Sequence, residues 1–265
     1  MLLAFLRLAV ASLVLLAIST WRQAFADAKG RLPWKTIVPM AIIGLALFNI
    51  ATNFGQSFAG AFQGALVQSA VPAVTAIVAM VVLKERLSAT RWVGIALVTL
   101  GVVLLTVASS PRDSAPRPML GSLLMLGTCV MWAVYTVLAK GLDEDLVLAS
   151  TTAMFCVATV ALLPAAMFAV SDGANLVLSA SAWTRVIYLG AVGSAAGILL
   201  YNNALRAVDA NVAGMFANLA PFAGALIGFV ALREPVAPLT LVGGLLALGG
   251  VALGMKRHAA AAPSA

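Results

Sequence analysis

A small number of uncharged polar side chains stand inside long apolar runs, and their spacing limits the chemistry they can do. Asn49, Asn53 and Gln56 are four and three residues apart, which puts their amides on one helix face. Gln68 and Thr75 flank Pro72, Trp132 and Tyr135 are three apart, Tyr201 and Asn202 are adjacent, and Asn211 and Asn218 are seven apart. Amide, indole and phenol groups exchange hydrogen bonds without carrying charge. They suit recognition of a small polar molecule, and the residues expected to line its cavity are Asn49, Asn53, Gln56, Gln68, Trp132, Tyr135, Tyr201, Asn202 and Asn218. The plain alternative for each is an interhelical hydrogen bond, worth about 0.6 kcal/mol on average in a membrane.

Bond-breaking chemistry has no such support. The chain has one histidine, His258, in an Ala-rich tail, with no HExxH pattern and no Gly-rich phosphate loop. All nine acidic residues fall in joints or at helix ends, so neither a carboxylate pair for catalysis nor a mid-membrane proton relay is expected. Cys129 and Cys156 lie in apolar runs without a CxxC spacing and read as free thiols. These features imply no enzyme, no metal and no cofactor. Glu85 and Glu234 follow Lys84 and Arg233 at the ends of apolar runs, where an interfacial ion pair is expected.

The elements that position these groups are set by composition. With 63% hydrophobic and 9% charged residues and a mean hydropathy of +1.06, the chain lacks the polar surface of a soluble domain. A spanning helix needs roughly 20 apolar residues. Runs of that kind lie at about 1–19, 36–58, 62–83, 91–108, 119–139, 147–170, 186–205, 212–232 and 238–255, and they do not alternate as barrel strands do. An all-α integral membrane bundle of about nine helices follows, with PRDSAPRP at 111–118 as an extended linker. The net charge of +7 resides in short connections beside apolar runs, so it reports orientation and not nucleic-acid binding. Eleven Lys and Arg residues fall on one set of alternate joints, among them Arg22, Lys35, Lys84, Arg91 and Lys256; five, counting Arg7, fall on the other. The carboxyl terminus is therefore expected in the cytoplasm.

Two stretches are copies. Pro72–Leu104 and Pro221–Leu253 match without gaps at 11 of 33 positions, 149 residues apart, including Glu85/Glu234, Gly94/Gly243 and Gly101/Gly250. The charge rule places the joint after the first copied helix inside and its duplicate outside, which makes an inverted repeat of the kind found in carriers. Asn53 and Asn202 are equivalent, one toward each surface. Pro72 and Pro221 are expected in mid-helix as kinks that free a carbonyl. Glycines four apart, such as Gly250 and Gly254, permit close helix packing and offer a surface for a homodimer. Because residue 1 aligns with Ser150, helix 119–139 has no partner in the first half, and about 30 residues are expected to be missing at the amino end. A signal peptide over 1–26 competes weakly, since cleavage would leave Lys29, Arg31 and Lys35 outside.

The twice-repeated pattern Pro72, Glu85, Gly94, Gly101 and Pro221, Glu234, Gly243, Gly250, with Phe5-Leu6-Arg7 and Met131-Trp132-Ala133-Val134-Tyr135, resembles the EamA domain of the drug/metabolite transporter superfamily. The resemblance implies two repeats at 1–110 and 119–257, the first lacking its first helix; the Ala-rich tail at 258–265 reads as disordered from its composition. The resemblance also implies an inner-membrane carrier exporting amino acids, related metabolites or drugs by alternating access. Two other readings stand beside it: a truncated, non-transporting component packing against another carrier, and a nucleoside or sugar-conjugate carrier.

Overall fold

A computed structural model describes residues 1–28, 30–84, 87–108, 116–172, 179–219 and 238–255. Among these the regular structure is entirely helical, as lipid requires of a chain that must satisfy every backbone N–H and C=O internally. Helix α1 runs Leu2–Trp21, α2 Ala24–Ala28, α3 Trp34–Pro39, α4 Phe48–Gln68, α5 Val71–Val82, α6 Ala89–Ala108, α7 Pro118–Lys140 and α8 Val147–Ser171. They are followed by α9 Ala180–Tyr188, α10 Gly197–Ala207, α11 Ala210–Ala217 and α12 Pro238–Met255. Leu2–Trp21, Trp34–Gly60, Met119–Lys140, Glu144–Ser171 and Ala180–Ala207 are long and apolar enough to cross a bilayer, and Val71–Val82, Ala89–Leu104 and Leu241–Gly254 are shorter apolar helices. The expected span at 212–232 is described only in its first turns, where it forms part of α11.

The duplication is visible in local conformation. Helices α3 and α9 each continue through a π-helical segment, Met40–Leu47 and Leu189–Ala196, and the two segments are offset by the same 149 residues as the sequence copies. The first follows Pro39 and the second Tyr188, so proline is not what sets the wider turn. Each widened segment brings a glycine against a neighbour: a Cβ on Gly44 would lie 2.8 Å from the Tyr135 Cβ, and one on Gly190 would lie 2.7 Å from the Val10 Cβ.

Gly60 lies in the joint expected between the spans 36–58 and 62–83. It holds φ +79 and ψ 158, a conformation that only glycine adopts readily. The expected long helix at 62–83 is broken at Ser69–Ala70, which separates α4 from α5. Pro72 therefore stands in the first turn of a new helix, where its missing N–H has no intrahelical partner to lose. Pro221, Glu85 and Glu234 lie outside the described residues.

The chain forms two compact units, Met1–Asn53 with Val134–Ala207 and Phe54–Ala133 with Val208–Ala265, and each draws on both halves of the sequence. In the first unit α1 packs along α8. Ser12 Oγ meets Thr159 Oγ1 at 2.9 Å and Ser19 Oγ meets Thr152 Oγ1 at 2.6 Å, so the helices run antiparallel. Leu8 and Leu15 are fully buried on that face.

In the second unit α6 packs along α12. A Cβ on Gly94 would sit 2.7 Å from the Gly250 carbonyl oxygen, and one on Gly101 would meet that of Gly243. Gly94 is the repeat equivalent of Gly243 and Gly101 of Gly250. The two contacts are thus one contact seen twice, related by a twofold axis perpendicular to the helices. The core beside this seam is Ala76, Ile95, Val98, Met215 and Val251.

Candidate functional site

In the first unit the predicted polar residues join a buried network. Tyr135 on α7 is wholly buried and its OH donates to Asn202 Oδ1 at 2.7 Å. Asn202 on α10, likewise buried, donates from Nδ2 to Thr151 Oγ1 on α8 at 3.0 Å. At the adjacent position on each of α7 and α10, Thr136 Oγ1 and Tyr201 OH are 2.9 Å apart. Ser150, next to Thr151, is buried with its Oγ unpartnered. Three helices therefore hold these groups in fixed relation, each hydroxyl or amide orienting the next.

Asn49 and Asn53 form a second part of the same unit. Asn49 is buried; its Nδ2 donates to Leu45 O at 2.7 Å and its Oδ1 accepts from Arg7 Nη2 at 2.7 Å. Asn53 turns its Nδ2 back onto Asn49 O at 2.8 Å. Arg7 corrects the reading of charge. Sequence alone counts it among the orienting residues of a joint, yet it lies within α1, half-buried, with its guanidinium on Asn49. An arginine inside an apolar run was itself the signal, since intramembrane charge marks function by default. Thr136, Ser150 and Thr151 were not predicted; hydroxyls in helices commonly bond back to their own backbone and carry little signal.

The other candidates lie in the second unit. Asn218, buried at the end of α11, donates to Ser69 O at 3.4 Å. That carbonyl belongs to the break between α4 and α5, and Ser69 and Asn218 are repeat equivalents. Thr75 packs on Gly214, 3.0 Å from where a Cβ would lie, and its buried Oγ1 is unpartnered. Gln68 ends α4 and Trp132 on α7 is half-buried, whereas Gln56 is exposed. The arrangement brings Asn49, Asn53, Tyr135, Tyr201 and Asn202 into one unit and Gln56, Gln68, Trp132 and Asn218 into the other. A separate cleft of about 410 Å³ lies between Leu2, Leu3 and Leu6 of α1 and Arg185, Val186 and Leu189 of the α9 segment. It is apolar and contains none of the predicted residues. Cys129 is buried, Cys156 half-buried, and both are free thiols.

Networks of this kind bind or orient. A crystal structure of a protein 21% identical superposes with a TM-score of 0.78 over 96% of this chain and 86% of its own, which establishes the fold. "Uncharacterized transporter YyaM" of Bacillus subtilis (strain 168) is 25% identical over 92% of this chain and 81% of its own length. "Probable terminal-alkyne amino-acid exporter" of Streptantibioticus cattleyicolor is 29% identical over 94% of this chain and 84% of its own. The family model described as "EamA-like transporter family" matches residues 1–107 and 119–255. The chain thus belongs to the EamA-like transporter family and is a multi-pass membrane transporter.

Proposed function

We propose that the protein exports small polar metabolites, amino acids or close relatives, across a bacterial inner membrane by alternating access, with its carboxyl terminus in the cytoplasm. The observation that carries this reading is the antiparallel pairing of repeat-equivalent helices, Gly94 with Gly250 and Gly101 with Gly243. A pseudo-twofold axis lying in the membrane plane lets one arrangement of the two repeats, 1–110 and 119–257, open outward and its mirror arrangement open inward. Uncharged donors and acceptors, Asn49, Tyr135, Tyr201 and Asn202 in one unit and Asn218 in the other, suit a small polar ligand. The name of the Streptantibioticus relative supports amino acids as the substrate class.

The test is counterflow of radiolabelled amino acids by purified protein in proteoliposomes, with and without a pH gradient. Saturable exchange of at least one amino acid is expected. Exchange of nucleosides or sugar conjugates without any amino acid would overturn the substrate class.

A further inference from the structure

Arg7 is a permanently charged group within a membrane helix, with no carboxylate paired to it among the described residues. Guanidinium stays protonated at any physiological pH. It stands in the sixth position of α1, inside the apolar span, half-buried. Its described partner is the neutral amide of Asn49, at 2.7 Å. Its Nε is closed off from solvent and has no hydrogen-bond partner.

The contrast with the joints is direct. Arg31 pairs with Asp145 at 2.7 Å, Arg91 with Asp209 at 2.6 Å and Arg206 with Glu144 at 2.7 Å. Among the described residues, these three arginines have carboxylates, whereas Arg7, half-buried inside an apolar span, has none. Asn49 is also built to hold the fork and not to neutralise it. Its own Nδ2 is committed to Leu45 O, which turns Oδ1 toward Arg7 and fixes one Nη in place. The planar fork then offers its remaining N–H groups to a planar oxyanion, for which bidentate geometry is favourable.

We infer that Arg7, steadied by Asn49, is the binding site for the carboxylate of the transported substrate. The ligand class is thus a carboxylic acid, including the carboxylate end of an amino acid, and the inference rests on the reading of the chain as a carrier of such metabolites. Because Nε is enclosed in this packing, the carboxylate reaches it as neighbouring side chains move aside, and the ligand supplies a counter-charge that no described residue gives. A lipid phosphate is the other oxyanion present in a membrane, and the test separates the two.

The thermal midpoint of the full chain in lipid-free detergent micelles is measured with L-leucine, with L-leucinamide, which keeps the side chain and ammonium but lacks the carboxylate, and with phosphatidylglycerol. Wild type is expected to be stabilised by L-leucine and not by the amide, and Arg7→Gln to lose that difference, with apparent affinity for L-leucine weakened at least about tenfold. Arg7→Lys, which keeps the charge without the fork, is expected to fall between them.

Asn49→Asp covers the case in which Arg7→Gln fails to fold, because it sets a built-in carboxylate against the guanidinium and neutralises the charge that attracts the ligand's. That variant is expected to melt higher than wild type and to stop responding to L-leucine. Equal responses of wild type to acid and amide, or an undiminished L-leucine response in Arg7→Gln or Asn49→Asp, would overturn the inference. So would stabilisation by phosphatidylglycerol alone in an Arg7-dependent manner. Should no amino acid be exchanged in proteoliposomes, the export reading fails on its own while the midpoint shifts still decide the role of Arg7.

Discussion

At the scale of single residues, the Tyr135–Asn202–Thr151 chain is where the fold commits most to one arrangement. Removing the phenol hydroxyl in Tyr135→Phe leaves the Asn202 carbonyl buried without the donor that now reaches it at 2.7 Å. The expected loss is about 1–3 kcal/mol if nothing takes the donor's place. A double-mutant cycle of Tyr135→Phe with Asn202→Leu should return a coupling of about 1 kcal/mol, within the range found between membrane helices. Reversible unfolding in mixed micelles measures both, and a coupling near zero would make the contact incidental. The sequence announced Tyr135 and Asn202 because polar groups stand out against an apolar background. It did not announce which would meet: Tyr135 shares a helix face with Trp132, yet the two side chains fall in different units. Contacts between helices far apart in the chain follow from packing, and helical periodicity specifies only the face a residue presents.

Among helices, the α6–α12 seam makes a sharper test because neighbouring glycines have opposite surroundings. A Cβ added to Gly250 would stand 2.6 Å from the Gly94 carbonyl oxygen, a backbone atom that cannot rotate away, whereas Gly249 has nothing within 4 Å. Gly250→Ala should therefore force the helices apart at a cost of about 1–3 kcal/mol. Gly249→Ala should be neutral or stabilising by up to about 1 kcal/mol, from the better helix propensity of alanine. Thermal midpoints of the two purified variants, measured side by side, check the prediction, and equal shifts would deny the close approach. The copied glycines at 94, 101, 243 and 250 were legible as packing positions from their spacing. Their cross-pairing was not, because a repeat reveals equivalence and says nothing of which copy touches which. The break before Pro72 is hidden in the sequence for a similar reason. A proline inside a long apolar run looks like a kink, and only the interruption at Ser69–Ala70 shows that the helix has already ended there.

For the molecule as a whole, duplication, charge and geometry make one claim about the membrane. Equivalent helices that pack antiparallel are exchanged by an axis across their length, and such an axis in the membrane plane carries each joint to the opposite face. Parity gives the same result independently. Between Lys84 and Arg233 the sequence offers five apolar spans, at about 91–108, 119–139, 147–170, 186–205 and 212–232. An odd number of crossings would put the two residues on opposite sides, and in the proposed orientation, taken from the excess of Lys and Arg, the Lys84 side is cytoplasmic. With the native thiols removed by Cys129→Ala and Cys156→Ala, Lys84→Cys and Arg233→Cys place one reporter at each duplicated joint. A membrane-impermeant maleimide applied to intact cells should label Arg233→Cys, while Lys84→Cys should label only after the cells are opened. Labelling of both from one side would break the parity, and with it the route from a doubled sequence to a site that faces each compartment in turn.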